Sequence, residues 1–161
     1  MRRRDREVTN KEELLNIIRK CQVCRIALNN EGFPYIVPLN FGLIVEGEEI
    51  QLYFHGAKEG TKMELIKKDP RASFEMDCEH RLIEGDFGCQ YTMEFESVMG
   101  TGKIEIVEGE EKIDALHYLM KQYTDKSFTF DKRHANAVEI FKLRVENITG
   151  KVLKTKTTSQ A

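Results

Sequence analysis

A chain of 161 residues, 40% hydrophobic and 32% charged, has the size and mix of one globular domain with a real core. Its 25 basic and 27 acidic residues leave a net charge of −2, which gives nucleic acid no electrostatic footprint to meet. No apolar run approaches the roughly 20 residues that span a bilayer and no signal-peptide segment opens the chain, so the expectation is a cytoplasmic protein with no membrane partner and four reduced cysteines.

Arg2, Arg3, Arg4 and Arg6 form a basic arm, interrupted by Asp5, that reads as a solvated start. Thr9 or Asn10 caps a helix with a glutamate three residues on, and Leu14, Ile17, Ile18 and Cys21 share one face. Short strands follow over 24–28, 33–38 and 41–45, with turns at 29–32 and 46–49. Ile50, Leu52 and Phe54 alternate with Gln51, Tyr53 and His55, the pattern of a half-buried strand. A helix is expected over 58–69, ended by Pro70, then a strand over 71–77 and a loop over 78–90. A long extended stretch spans 91–107, where Gly100 and Gly102 mark a bulge or the close approach of something flat. A helix over 110–123 groups Ile113, Leu116, His117 and Met120, which makes His117 a packed residue. A final strand carries Phe141, Leu143 and Val145, and the end from Lys151 is polar. Six or seven short strands with two or three helices predict a mainly β protein, an antiparallel barrel with helical covers.

The stretch from Leu52 to Lys62 carries the strongest chemical signal. A strand runs into Gly56 and Ala57, then a polar loop with Gly60, then a helix that begins near Lys62. Unpaired N–H groups, the helix dipole and a lysine together suit a phosphate. His55 ends that strand and either bonds its neighbours or meets a ligand. Pro38 interrupts pairing in Val37-Pro38-Leu39-Asn40-Phe41-Gly42, which is either a plain bend or a place where free backbone groups receive a planar heterocycle. Glu96 to Lys103 lacks the spacing of a Walker loop or dinucleotide fingerprint. Cys21 and Cys24 close a helix and open a strand, the wrong end for a thioredoxin-type dithiol. Cys78, His80 and Cys89 are too irregularly spaced to complete a zinc site, so the cysteines read as structural thiols and no metal is expected.

Taken in order, Cys21-x-x-Cys24-Arg25, Pro34 to Gly42, Leu52 to Lys62, Glu96-Ser97-Val98-x-Gly100-x-Gly102-Lys103 and Ile148-Thr149-Gly150-Lys151 resemble the pyridoxamine 5′-phosphate oxidase-related flavoproteins, in their nitroimidazole-resistance (Nim-like) branch. The resemblance covers residues 1–151 as one domain and leaves 152–161 as a polar tail. It implies a split β-barrel that dimerises with FMN at the subunit interface. Val37, Pro38, Leu39 and Asn40 would line the flavin ring. His55, Gly56, Ala57, Lys62 and Ser97 would surround the phosphate tail, with Gly100 a close backbone approach. His55 would aid electron or proton transfer. The oxidase's arginine-and-histidine set for pyridoxal phosphate has no counterpart near the C-terminus, which argues against vitamin B6 oxidation. The expected activity is an FMN-dependent oxidoreductase passing electrons to a small acceptor such as a nitro-aromatic. The rivals are a non-catalytic flavin or heme binder or sensor, and a dithiol or zinc protein.

Overall fold

The computed structural model describes residues 3–155; Arg2 of the basic arm and the expected tail beyond Thr155 lie outside them. Asn10 accepts a hydrogen bond from the Glu13 N–H at 3.1 Å and starts α1 (Lys11–Lys20), whose Leu14, Leu15, Ile17 and Ile18 are buried. Eight strands follow one another as β1 (Glu7–Val8), β2 (Cys24–Leu28), β3 (Tyr35–Leu39), β4 (Gly42–Glu46), β5 (Glu49–Gly56), β6 (Arg71–Ile83), β7 (Thr92–Ile106) and β8 (Glu139–Leu153). Between them lie α2 (Thr61–Lys68), α3 (Glu111–Lys121) and α4 (Lys132–Ala137).

All strands join one antiparallel sheet in the order β3-β2-β6-β7-β8-β5-β4, with β1 added to β8. The sheet is rolled but not closed, because the end strands β3 and β4 do not pair with each other. Its inner face carries Ile26, Leu52, Phe54, Phe74, Met76, Val98, Phe141 and Leu143 in one core with α1 and α2. Close contacts fix two helices. A Cβ on Gly150 would lie 2.5 Å from Leu14, where α1 crosses β8. One on Gly42 would lie 2.6 Å from the Tyr118 backbone, where α3 covers β4.

The structure moves several boundaries. The stretch expected as a loop over 78–90 is largely strand, since β6 runs on through a bulge between Cys78 and Arg81 to Ile83. Glu79 takes the left-handed conformation there, with φ of 57°. Alternating Arg81, Leu82 and Ile83 pair with Glu94, Met93 and Thr92 in a projecting hairpin, so charge in this segment marks exposure rather than irregular backbone. β5 is buried on both faces rather than one, because α3 covers Tyr53 while the main core takes Leu52 and Phe54. On α3 it is Ala115 and Leu119 that are buried; His117 is exposed and meets the Phe130 ring edge-on at 5.0 Å. β8 continues through Leu153, paired with Phe95, so the first residues of the expected tail belong to the sheet. His134 sits in α4, capped by Asp131.

Gly100 and Gly102 divide the two explanations offered for them. Gly102 follows a bulge in the β7–β8 pairing, and a Cβ there would collide with the Arg144 carbonyl. At Gly100 the flat neighbour is the protein's own Phe74 ring, 2.5 Å from where a Cβ would stand.

Candidate functional site

The end of β5 turns into α2 through a loop that ends on Gly60, whose φ of 112° only glycine adopts readily. Gly60 is the N-cap, so the helix starts at Thr61, three residues later than the sequence pattern suggested. Its carbonyl accepts the Met63 and Glu64 N–H groups, while the helix dipole leaves the Thr61 end positive. Lys62 folds back from this first turn toward β5. Its Nζ stands 5.2 Å from the centre of the Phe141 ring, and a Cβ on Gly56 would collide with it. Gly56 is thus the empty position that admits the lysine. Burial pushes the Lys62 ammonium below the ordinary lysine value, yet no carboxylate pairs with it among the described residues.

Glu139, opposite Gly56 in the ladder, is held by Lys112 at 2.9 Å. That pairing keeps the Glu139 carboxyl below its usual range, with Lys58 contributing. His55 precedes Gly56 and so points to the opposite face of β5, where it is partly exposed. Partial burial, and then the nearby Lys62 charge, push its imidazole below its ordinary value. An imidazole and an unpaired ammonium thus flank one strand end, on opposite faces of β5.

The predicted residues fall into three places. His55, Gly56, Ala57 and Lys62 are brought together at the β5–α2 junction. Val37, Pro38 and Leu39 lie on β3, and Asn40 follows it. Gly42 pairs with Tyr53, so Asn40 leaves the ladder at the His55 end of β5. Asn40 donates to the Gln22 carbonyl at 3.2 Å, and Tyr123 ties the same corner, donating to that carbonyl at 2.8 Å and accepting from the Phe41 N–H at 2.9 Å. Pro38 is on the outer face of β3, and Val37 and Leu39 pack against the core.

Ser97 and Gly100 are not part of this cluster within the chain. Ser97 pairs with Lys151 and Ile106 pairs with Phe141, which puts nine residues of β7, roughly 30 Å of strand, between Ser97 and the Lys62 seat. The Ser97 hydroxyl is buried and donates to the Lys151 carbonyl. Gly100 lines a separate groove with Ile36, Ala27, Phe74, Met99 and Thr101, of about 560 Å³, on the uncovered outer side of the sheet. Sequence reasoning missed Phe141, Glu139, Lys112 and Tyr123. Each reaches the site from a distant element, and no local spacing marks them.

A family model described as pyridoxamine 5′-phosphate oxidase matches residues 10–152. The chain belongs to the pyridoxamine 5′-phosphate oxidase family. Within that family it is similar to the solved structure of a candidate 5-nitroimidazole antibiotic resistance protein from Bacteroides thetaiotaomicron. The two are 33% identical, over 91% of this chain and 86% of that one, with a TM-score of 0.78. The FAD and heme binding protein of Mycobacterium smegmatis has the same fold at 17% identity, over 93% of this chain and 74% of its own, with a TM-score of 0.79. A flavocytochrome of Azotobacter vinelandii, also 17% identical, overlaps 96% of this chain and 72% of its own at a TM-score of 0.78. No curated protein matches the chain. The open eight-stranded sheet is accordingly the split barrel of the pyridoxamine 5′-phosphate oxidase family, and the order of motifs places the chain in its Nim-like branch.

Proposed function

We propose that the protein binds FMN at the β5–α2 junction and passes electrons from the reduced flavin to a small acceptor of the nitro-aromatic class. One observation carries the reading: Lys62 is partly buried on an aromatic ring beside a glycine, with no carboxylate to neutralise it among the described residues. An unpaired, partly desolvated ammonium is unfavourable by itself and becomes favourable when an anion arrives. The Thr61 end of α2 supplies the dipole and N–H groups that a phosphate takes. The chain's family and its 33% likeness to a candidate nitroimidazole-resistance protein support flavin as the bearer of that phosphate.

When bound, the flavin supplies hydride and single-electron chemistry. The chain's own residues bind and orient. Lys62 would meet the phosphate, and no carboxylate among the described residues pairs with it. Tyr123 and Gln22 hold the corner that follows Val37, Pro38 and Leu39, fixing the backbone at Asn40. His55, whose imidazole partial burial and then the Lys62 charge push below its ordinary value, can accept or return a proton. Because Ser97 and Gly100 lie far from Lys62 along β7, any part they have in the site comes from a second copy. A homodimer built on the uncovered outer face would bring them in.

The test is the spectrum of the purified protein and of its extracted chromophore. The expected result is bands at about 375 and 450 nm, the positions of any flavin, with FMN recovered on extraction, and the 450 nm band, bleached on reduction, returning when a nitro-aromatic is added. A protein that stays colourless and ignores added FMN overturns the reading. So does a Soret band without flavin, which would favour a heme binder.

A further inference from the structure

The corner between β3 and β4 is held in a way that leaves one side chain half used. Leu39 is the last residue of the β2–β3 ladder and Gly42 the first of the β4–β5 ladder, so Asn40 and Phe41 turn between the two. Phe41 is fully buried, and its N–H donates to the Tyr123 hydroxyl at 2.9 Å. That hydroxyl donates in turn to the Gln22 carbonyl at 2.8 Å, and the Asn40 amide donates to the same carbonyl at 3.2 Å. Gln22 follows Cys21, whose own carbonyl takes the Gln122 amide at 3.1 Å. A carbonyl only accepts, so the Asn40 nitrogen faces Gln22 and its Oδ1 does not. Asn40 is exposed, and its Oδ1 and second amide hydrogen have no partner among the described residues. The outward edge of this side chain is therefore an acceptor beside a donor, held in place from behind.

We propose, resting on the FMN reading above, that Asn40 selects the flavin ring by its imide edge. Oδ1 accepts the ring N3–H, and the free amide hydrogen donates to a ring carbonyl beside it. The chemistry of the ring dictates the choice. Oxidised flavin carries one N–H donor on its ring, at N3, whereas N1, N5 and both carbonyls accept. An amide oxygen held outward therefore has one hydrogen-bond partner on that ring. The corner lies at the His55 end of β5, the strand that runs on into Gly56 and the Lys62 seat, so ring and phosphate contacts fall at the same end of one strand. Heme presents no N–H beside a carbonyl, so the same edge favours flavin over heme. Tyr123 acts through Asn40 as a positioning residue: it fixes the Phe41 N–H and the Gln22 carbonyl on either side of Asn40.

The test is a fluorescence titration of the whole flavin-free protein with FMN and with N3-methyl-FMN, which keeps the phosphate and the carbonyls but lacks the N3 hydrogen. The wild type should bind FMN about tenfold more tightly than the methylated ring, the worth of one or two neutral hydrogen bonds. Asn40→Ala should bring the two affinities level, chiefly by weakening FMN. Asn40→Asp, whose side chain has no hydrogen to give Gln22, should lose the preference as well. Each result is a ratio within one protein, so a general loosening of the fold by a substitution cancels. Equal binding of both rings by the wild type overturns the proposal and leaves FMN binding standing. A preference that survives in Asn40→Ala overturns it too, because another group then reads N3. A wild type that binds neither ring overturns the FMN reading, and this proposal with it.

Discussion

Lys62 stands against the usual practice of folded proteins, which pair or expose their ammonium groups. Replacing it with Met keeps the stem on Phe141 and removes the charge. The cofactor-free protein should then be as stable as the wild type or more so, while FMN affinity falls about 10- to 150-fold, the worth of a charge-assisted contact of about 1.5–3 kcal/mol. Thermal melts and a fluorescence titration read the two quantities. Destabilisation with unchanged affinity would make Lys62 a structural residue. Glycine substitutions separate binding from folding in the same way. At Gly56 an alanine methyl meets only the movable end of Lys62, so binding should weaken with little change in stability. At Gly102 it meets the Arg144 backbone, so the fold should lose about 1–3 kcal/mol. His55 adds a pH signature. Its folded-state value lies below the ordinary one, so around and just below about pH 6.5 the unfolded chain binds more protons and stability falls as the solution is acidified. His55→Gln should flatten that part of the melting curve against pH.

Elements were legible where sequence and tertiary demands agree. The cap at Asn10, the β2 strand and the alternation that marks β5 all surfaced, because capping and period-two burial are local. The loop from β5 into α2 surfaced too, since Gly56, Ala57, Gly60 and Lys62 lie within one short stretch of chain. Long-range facts did not. The hairpin of β6 and β7 hid behind its charges, and the second burial of β5 under α3 depends on a helix 58 residues later, tied by the Tyr53–Glu111 hydrogen bond of 2.8 Å. The seat of Lys62 on Phe141 leaves no trace in local spacing either. Gln122 is a similar case. Its side-chain amide caps α1 from α3, 3.2 Å from the Arg19 carbonyl and 3.1 Å from that of Cys21. Gln122→Leu should lower the stability by about 1–2 kcal/mol, read as a shifted urea midpoint at unchanged slope. A null shift would show that water replaces the amide without cost.

At the scale of the molecule, helices account for only part of the sheet. α1 and α2 pack with the inner face and α3 covers β4, β5 and the start of β8 at Ile140, whereas the outer side of β3, β2, β6, β7 and the rest of β8 has no helix among the described residues. Ile36 is 63% exposed there and Met99 48%, beside the Arg25 pairs with Glu75 and Asp77. Large apolar residues mixed with ion pairs suit the proposed interface with a second copy. The distance of Ser97 and Gly100 from Lys62 leads to the same face, since their strand crosses it. Met99→Arg would place an unpaired charge at the centre of that proposed contact. The wild type should run as a dimer in light scattering at micromolar concentration, and the variant as a folded monomer with a native circular dichroism spectrum. If the flavin site is shared between copies, FMN should be lost in step with the dimer as the protein is diluted. A wild type that is monomeric and still holds FMN would show that one chain builds the whole site, and would remove Ser97 and Gly100 from it.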